Sequence, residues 1–274
     1  MSVSPSNITS TSLFLVGSSS KWRCGIIGEW LRAHLDDSLR GMVLSSVDPD
    51  IDEKAIRHPM PDTLCVAIGK AKLDAVIAKL KEATSSPMVK LEDVEYIVAG
   101  DQLAIYQPHN PTSNTPPTPF IYNTTLDTLI ASIDGTAVPL PEAVAKGLVN
   151  FEIREKPETV EECKKFLGSY SDSFVQTVAS IVMYHVPTGR TVHTVDVNTV
   201  FFSTIPESTM TAMIYKDGGE VPNGDCMSCC GGFVVEDPNL SKCVVRIHGC
   251  IEGVQGMNPS KLDGLINQLR SQEK

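Results

Sequence analysis

The stretch that decides the fold is LFLVGSSSKWRCGIIGEWLRAHL, residues 13–35. Its first four residues are apolar and predict a short buried strand, which ends in the tight loop Gly17-Ser18-Ser19-Ser20. Apolar residues then recur at helical spacing from Trp22 to Leu35 and predict an amphipathic helix. A helix N-terminus presents unpaired backbone N–H groups and a positive dipole end, so this strand–loop–helix unit suits a phosphate.

The start of the predicted helix offers further groups for binding an anion. The hydroxyls of Ser18 and Ser20 can donate hydrogen bonds, and the Arg23 guanidinium can bind a phosphate through two parallel N–H groups. The alternative is an ordinary helix, capped by a serine, with a solvated Arg23. The local sequence leaves both interpretations open.

The rest of the chain alternates predicted strands and helices, which indicates the α/β class. Strands are predicted to begin at residue 43 and to cover 96–99 and 244–247, and a hairpin to pair 175–184 with 191–202. Helices are predicted at 64–80, 159–167, around 208–214 and around 262–269.

Composition limits the kind of protein that the chain can be. It has 274 residues, 42% of them apolar and 20% charged, which suits a globular protein and excludes wholesale disorder, collagen-like repeats and a coiled coil. The net charge of −10 disfavours nucleic acid and anionic membranes as partners, so a phosphate ligand needs a local basic site. With neither a membrane-length apolar run nor a basic leader, we expect a cytoplasmic protein with reduced cysteines.

Two acidic segments are candidates for binding a divalent cation. The first, Asp48-Pro49-Asp50-Ile51-Asp52-Glu53, has four carboxylates in six residues. The second, Gly100-Asp101-Gln102, follows a predicted strand, and ligands of α/β sheets collect at strand ends. An aspartate there can hold a metal or take a proton from water. The alternatives are an acidic turn before a helix and a plain strand-ending turn.

A lysine and a group of cysteines are further candidates. Lys156, in the loop before the helix at 159–167, can contact phosphate or be solvated. Cys226 and Cys229 have the Cys-x-x-Cys spacing of half a zinc site. Six residues separate Cys243 from Cys250, which does not fit the second half. We therefore expect reduced, half-buried thiols, with structural zinc as the alternative.

Residues 107–150 contain seven of the chain's 18 prolines. The Asn/Thr/Pro-rich first part of this segment predicts a surface loop, and residues 126–133 predict a short amphipathic helix.

The order of these motifs resembles that of the Maf family, homologues of a septum-formation protein that hydrolyse nucleoside triphosphates to monophosphate and pyrophosphate. The loop after the first strand is similar to the family's Ser-x-Ser-Pro-x-Arg motif, with Lys21 in place of proline. Glu155 stands where the family's Gly-Lys-Pro motif has glycine. The other matching segments are Asp50-Ile51-Asp52-Glu53, Lys70-Ala71, Gly100-Asp101-Gln102, Lys156-Pro157 and Ile251-Glu252-Gly253.

The resemblance implies an α/β fold like that of Maf proteins and inosine triphosphatases, a mixed sheet flanked by helices. We expect one such domain over residues 12–274, preceded by a flexible extension at residues 1–11. Family members have only a short link between the aspartate strand and the Lys-Pro motif, so residues 107–150 or thereabouts are expected to be an insertion.

The resemblance also implies a role for each matched residue. Glu53 and Asp101 would hold Mg²⁺ or Mn²⁺, and Asp101 would orient or deprotonate the attacking water. The groups expected to bind the polyphosphate are Ser18, Ser20, Arg23, Lys70 and Lys156.

A further point of resemblance concerns the residues that would bind the base of the substrate. Trp22 before the arginine and Gln102 after the aspartate resemble the subgroup that acts on 7-methyl-GTP. Methylation at N7 makes guanine cationic, and an indole face attracts a cation. The resemblance therefore implies base-binding roles for Trp22 and Gln102. The alternative is that Trp22 packs in the core with Ile26 and Trp30, which share its helical face.

Two other functions remain open at this point. A non-catalytic nucleotide-binding regulator of cell division is the main alternative, because residues 226–233 and 254–259 depart from the family pattern. A zinc-stapled binding module is the third hypothesis. The expected partner is a nucleoside triphosphate, with a homodimer as a candidate assembly.

Overall fold

A computed structural model describes residues 12–82, 89–109 and 116–271. The predicted extension at residues 1–11 lies outside the described residues. No helix within the described ranges is long and apolar enough to cross a membrane.

The strands are β1 (Leu13–Gly17), β2 (Val43–Ser46), β3 (Val94–Ala99), β4 (Gln102–Tyr106), β5 (Ile121–Asn123), β6 (Thr128–Ile133), β7 (Thr136–Pro139), β8 (Glu152–Arg154), β9 (Phe174–His185), β10 (Arg190–Phe202) and β11 (Val244–His248). The helices are α1 (Lys21–Ala33), α2 (Asp37–Arg40), α3 (Pro61–Glu82), α4 (Leu140–Ala145), α5 (Val160–Ser169), α6 (Glu207–Ile214), α7 (Ile251–Val254) and α8 (Pro259–Ser271).

A mixed sheet of eight strands forms the centre of the molecule. Its main path runs β11-β10-β9-β3-β1-β2, with β4 between β9 and β8. Strands β1, β2 and β3 are parallel to one another, and the remaining pairs are antiparallel. Helices flank the sheet, so the prediction of an α/β fold with a mixed, helix-flanked sheet is confirmed.

Alternating side chains of β1 separate two layers of core. Phe14 and Val16 pack with residues of α1 and α8, whereas Leu15 faces α3 on the other side of the sheet. A strand with both faces covered reads as a continuous apolar run, which is why residues 13–16 are all apolar. The sheet and its two helical layers thus hold the loop after β1 in a fixed position.

Strands β3 and β4 lie one after the other along the same edge of β9. Tyr96–Ala99 pairs with Val182–His185, and Gln102–Ile105 pairs with Gln176–Ala179. The chain bends between them at Gly100, where a Cβ atom would come within 2.1 Å of the Ser180 carbonyl oxygen. This close approach requires glycine at position 100 and places Asp101 at the break.

A second, three-stranded antiparallel sheet, β5-β6-β7, packs with α4 against the main sheet. The helix predicted for residues 126–133 is therefore wrong, since Thr128–Ile133 is the central strand β6. The Asn123 side chain accepts hydrogen bonds from the backbone of Thr125 and Leu126, each at 3.0 Å, and so forms a turn before β6. Leu129 and Ala131 then alternate inward, which is the period of a strand.

Candidate active site

The carboxyl ends of the parallel strands β1 and β3 lie side by side and open into one cleft. Ser18 and Ser20 line it at the start of α1, where the Ser20 hydroxyl accepts from the Arg23 backbone N–H at 3.4 Å. The Arg23 guanidinium donates to the Gly100 carbonyl at 2.8 Å and so joins the two strand ends. The helix terminus, its serines and Arg23 therefore face the same space, as the sequence predicts.

Lys72 of α3 connects the two carboxylates that the sequence singles out. Its ammonium lies 2.8 Å from Asp101 Oδ1 and 2.8 Å from Glu53 Oε1. Lys72 and Asp101 are each only 6% exposed. Because little water screens the two charges, they attract each other strongly. The backbone of Asp101 is fixed by Ser180, whose hydroxyl accepts from the Asp101 N–H at 3.1 Å.

The charges around Glu53 keep it ionised. Burial raises the pKa of this carboxyl, but the hydrogen bond and charge of Lys72, with the nearby charges of Lys156 and Arg23, outweigh it. The net result is a pKa below the ordinary glutamate value. Glu53 is therefore a carboxylate at neutral pH, available to a cation or as a hydrogen-bond acceptor.

The structure corrects the position of the helical lysine. Lys70 is exposed on α3 and does not line the cleft, whereas Lys72 does. Two residues correspond to about 200° around a helix, so the two lysines point in nearly opposite directions. Lys72 falls within the buried repeat of Cys65, Ile68 and Val76, which is the sequence signal that distinguishes it.

The cleft has a volume of about 770 Å³ and continues from the strand ends toward a second wall. Lys156 lies on this cleft and is exposed. The second wall comes from the cysteine- and glycine-rich residues 226–233, of which Cys229, Cys230 and Phe233 line the cleft. Sequence reasoning did not identify Glu236 and Gln255 on this wall or Thr177 of β9, because only the fold brings these residues to the cleft.

A turn at Gly231 holds the second wall in place. Gly231 has a φ of 70°, and a Cβ there would lie 2.5 Å from Ala104 Cβ of β4. The buried Tyr170 hydroxyl donates to the Gly231 carbonyl at 2.9 Å, and the Gly231 N–H donates to the Glu155 carbonyl at 2.9 Å. Glycine is needed here both for the left-handed backbone and for the close contact with the sheet.

The two residues with predicted base-binding roles both lie on the cleft. Trp22 is 48% exposed, while Ile26 and Trp30 are buried in the core, so Trp22 is not a core residue. The Gln102 amide donates to the carbonyls of Gly253 and Val254 at 3.2 and 2.8 Å. These bonds give Gln102 a part in positioning α7 against the cleft.

The cysteines form no metal site in the part of the chain that the structure describes, where no three candidate ligands come together. Burial, with the nearby charge of Asp225, raises the pKa of Cys229 to about 11, and burial raises that of Cys230 to about 12. Both thiols are therefore neutral at physiological pH, and thiolate is the form that binds zinc.

We expect Cys229 and Cys230 to react slowly with iodoacetamide at pH 7. With a pKa of about 11, the thiolate fraction of Cys229 is about 10⁻⁴, against a few per cent for a free cysteine. Mass spectrometry of the labelled native protein measures the rate at each position. Labelling as fast as that of a free thiol, or stoichiometric zinc in protein purified without chelator, would contradict this account.

The chain is similar to a known family and to a named relative. The model of a family described as Maf-like protein matches residues 125–269. The chain is also 27% identical over 255 residues to a protein from Dictyostelium discoideum named 7-methyl-GTP pyrophosphatase. That alignment covers 93% of this chain and 96% of the Dictyostelium protein.

Proposed function

Because the chain belongs to the family of Maf-like proteins, we propose that it is a hydrolase that cleaves nucleoside triphosphates to the monophosphate and pyrophosphate. The observation that carries the proposal is the buried Lys72, held 2.8 Å from both Glu53 and Asp101 beside the N-terminus of α1. Cations and a helix terminus suit the phosphates, and a carboxylate suits the attacking water.

The triphosphate binds at the strand ends in this proposal. The first turn of α1 offers backbone N–H groups, and Arg23 and Lys156 offer positive charge on the cleft. This is the local basic site that an acidic chain needs in order to bind an anion. The serine hydroxyls of Ser18 and Ser20 add short-range donors.

The carboxylates fit a divalent cation. Mg²⁺ is usually bound by one or two protein carboxylates together with waters and substrate phosphates, rather than by a complete protein cage. Glu53 and Asp101 supply two such groups, and no third ligand joins them among the described residues. They would hold the cation, which when bound would neutralise phosphate charge and polarise the phosphoryl oxygen.

The chain's own residues divide the remaining work. Asp101 orients a water molecule toward the α-phosphorus and takes its proton. Lys72 fixes the Asp101 carboxylate and meets negative charge that develops on the phosphates. The bond between the α-phosphorus and the bridging oxygen breaks, and pyrophosphate leaves against Arg23 and Lys156.

A nucleotide panel tests the proposal. Purified protein is incubated with Mg²⁺ or Mn²⁺ and each triphosphate, and pyrophosphate is assayed. We expect pyrophosphate and the monophosphate from at least one substrate. Release of orthophosphate alone, or binding of nucleotide with turnover near zero, would instead favour the non-catalytic regulator.

For the substrate we propose 7-methyl-GTP. The 27% identical Dictyostelium protein carries that activity in its name, and Trp22 presents an exposed indole on the cleft. A cation stacked on an indole gains roughly 0.5–2 kcal/mol, so wild type should prefer 7-methyl-GTP over GTP by about two- to thirty-fold. We expect Trp22→Ala to remove this preference, as measured by kcat/KM for both nucleotides.

The control for this prediction is Trp22→Phe, which keeps a weaker aromatic face and should keep part of the preference. If a folded Trp22→Ala variant ranks the substrates as wild type does, Trp22 does not contact the base. A wild-type preference for UTP or dTTP would overturn the substrate and leave the pyrophosphatase proposal intact.

A further inference from the structure

Arg154, the last residue of β8, is a buried cation beside the cleft but not on it. Its side chain is only 2% exposed, and it is not among the residues that line the cleft. The guanidinium carbon lies over three aromatic rings, 4.1 Å from the centroid of Tyr106, 4.6 Å from that of Phe166 and 5.1 Å from that of Tyr170. A cation is attracted to the face of an aromatic ring, so the three rings together fix the place of the guanidinium.

Hydrogen bonds fix the orientation of the same guanidinium. Nε and Nη2 donate to Glu152 Oε2 at 3.1 and 2.7 Å. Nη1 donates to Ser169 Oγ at 2.6 Å and to the Phe166 carbonyl at 3.4 Å. Phe166 and Ser169 lie in the last turn of α5, where a cation is favoured by the negative end of the helix dipole. Arg154 therefore fastens β8 to the end of α5.

The contacts of Arg154 continue to the second wall of the cleft. Tyr170, which follows α5 directly, donates its hydroxyl to the Gly231 carbonyl at 2.9 Å. The Gly231 N–H in turn donates at 2.9 Å to the carbonyl of Glu155, the residue after Arg154. The contacts from Arg154 through Tyr170 and Gly231 thus return to the backbone next to Arg154. This closed ring of contacts fixes the backbone of residue 155.

Lys156 follows this ring of contacts directly along the chain. It is exposed on the cleft, and its ammonium forms no ion pair with the residues that the structure describes. Its positive charge stabilises the Glu53 carboxylate, which places it near the carboxylates of the site. A long lysine side chain has many rotamers, so its position depends strongly on the backbone that carries it.

We propose that Arg154 is a positioning residue, which holds the backbone before Lys156 so that the ammonium of Lys156 meets the phosphates of the substrate. This inference rests on the proposed function, because Lys156 is one of the phosphate-binding groups in it. Arg154 itself touches no substrate and acts through Lys156. A misplacement of about 1 Å at a group that contacts the reacting atoms can lower the rate by ~10²-fold.

A double-mutant cycle tests this coupling with Arg154→Met, Lys156→Met and the variant that carries both changes. Methionine keeps an apolar side chain among the three rings and removes the charge and the hydrogen bonds. We expect Arg154→Met to lower kcat/KM for pyrophosphate release by about ten- to hundred-fold when Lys156 is present. In the Lys156→Met background the same change should cost less than about three-fold, because the effects of coupled residues do not add. A merely structural role would give the same factor in both backgrounds.

The matched control is Arg270→Met, the same chemical change at a half-buried arginine outside the cleft. Arg270 of α8 pairs with Asp36 and donates to Ser38 Oγ at 3.3 Å. We expect this variant to lose thermal stability and to keep kcat/KM within a few-fold of wild type. If Arg154→Met does not fold, Arg154→Lys enters the same cycle. Lysine keeps a positive charge over the rings but cannot reproduce the fork of N–H groups.

The outcomes decide the inference whether or not the proposed function holds. Equal losses in the two backgrounds overturn it, and so does wild-type activity in Arg154→Met or in Lys156→Met. If wild type hydrolyses no triphosphate, the proposed function fails, and the same cycle is measured by calorimetric binding of pyrophosphate with Mg²⁺. A loss of affinity in Arg154→Met that disappears in the Lys156→Met background then supports the inference. Equal losses of affinity, or no binding of pyrophosphate by wild type, overturn it.

Discussion

Lys72→Met is expected to lower kcat/KM for triphosphate hydrolysis by at least ~10²-fold, because preorganised charges aimed at a developing negative charge contribute on that scale. Methionine keeps the length and apolar stem of the lysine but removes the ammonium that touches both Glu53 and Asp101. The measurement is steady-state pyrophosphate release under matched metal and substrate concentrations. The variant loses a buried charge partner, so circular dichroism and thermal melting must accompany the kinetics.

The matched control lies two residues away on the same helix. Lys70→Met makes the identical chemical change at an exposed position outside the cleft, and it should leave kcat/KM within a few-fold of wild type. A large loss in Lys70→Met together with a small one in Lys72→Met would mean that the helical lysine of the site has been misplaced.

Asp101→Asn is expected to lower turnover by at least ~10²-fold, because asparagine can neither take a proton from water nor offer a charged ligand to a cation. The substitution keeps the size of the side chain, and the backbone bonds of residue 101 to Ser180 do not involve the carboxylate. The loss should therefore appear in kcat with the fold retained. Turnover near that of wild type would place the catalytic carboxylate elsewhere.

Asp62→Asn is the control for this change. Asp62 is also a buried carboxylate, but it accepts from the Leu129 N–H at 2.9 Å and joins α3 to the second sheet, away from the cleft. We expect it to lower thermal stability and to spare kcat. The two variants together separate the general cost of neutralising a buried aspartate from the loss of a catalytic one.

The architecture near the site could largely be predicted from the sequence, because its signals are local. Continuous apolar residues at 13–16 predict a strand covered on both faces, and the apolar spacing after Trp22 predicts α1. The break at Gly100 and Asp101 could also be predicted, because these residues directly follow the apolar strand at 96–99. The need for glycine at position 100 could not be predicted from the local sequence, because it comes from the Ser180 carbonyl on β9, 80 residues further along the chain.

The second sheet shows where local signals fail. Residues 126–133 fit an amphipathic helix as well as a strand, because a short apolar run does not distinguish the two periods. The turn at Asn123 and the packing of Leu129 against the rest of the fold favour the strand over the helix. Such packing involves residues distant in sequence and has no local signature.

Some residues of the candidate site could likewise be predicted from local sequence signals, and others could not. Motif residues such as Arg23 and Asp101 could be predicted to converge, since strand ends of a parallel sheet meet. To choose Lys72 over Lys70, one must know which face of α3 is buried. The helical repeat of apolar residues indicates that face, whereas the Lys-Ala motif does not. Glu236 could not be found from the sequence, because only the fold brings its segment to the cleft.

The central claim is that this cleft hydrolyses the bond between the α- and β-phosphates of a nucleoside triphosphate. ³¹P nuclear magnetic resonance of one reaction mixture, containing 7-methyl-GTP and Mg²⁺, tests it most directly because every phosphorus product is seen at once. We expect equal amounts of nucleoside monophosphate and pyrophosphate with wild type, and intact triphosphate with Asp101→Asn under the same conditions. Formation of diphosphate and orthophosphate, or equal rates with the two proteins, would contradict it.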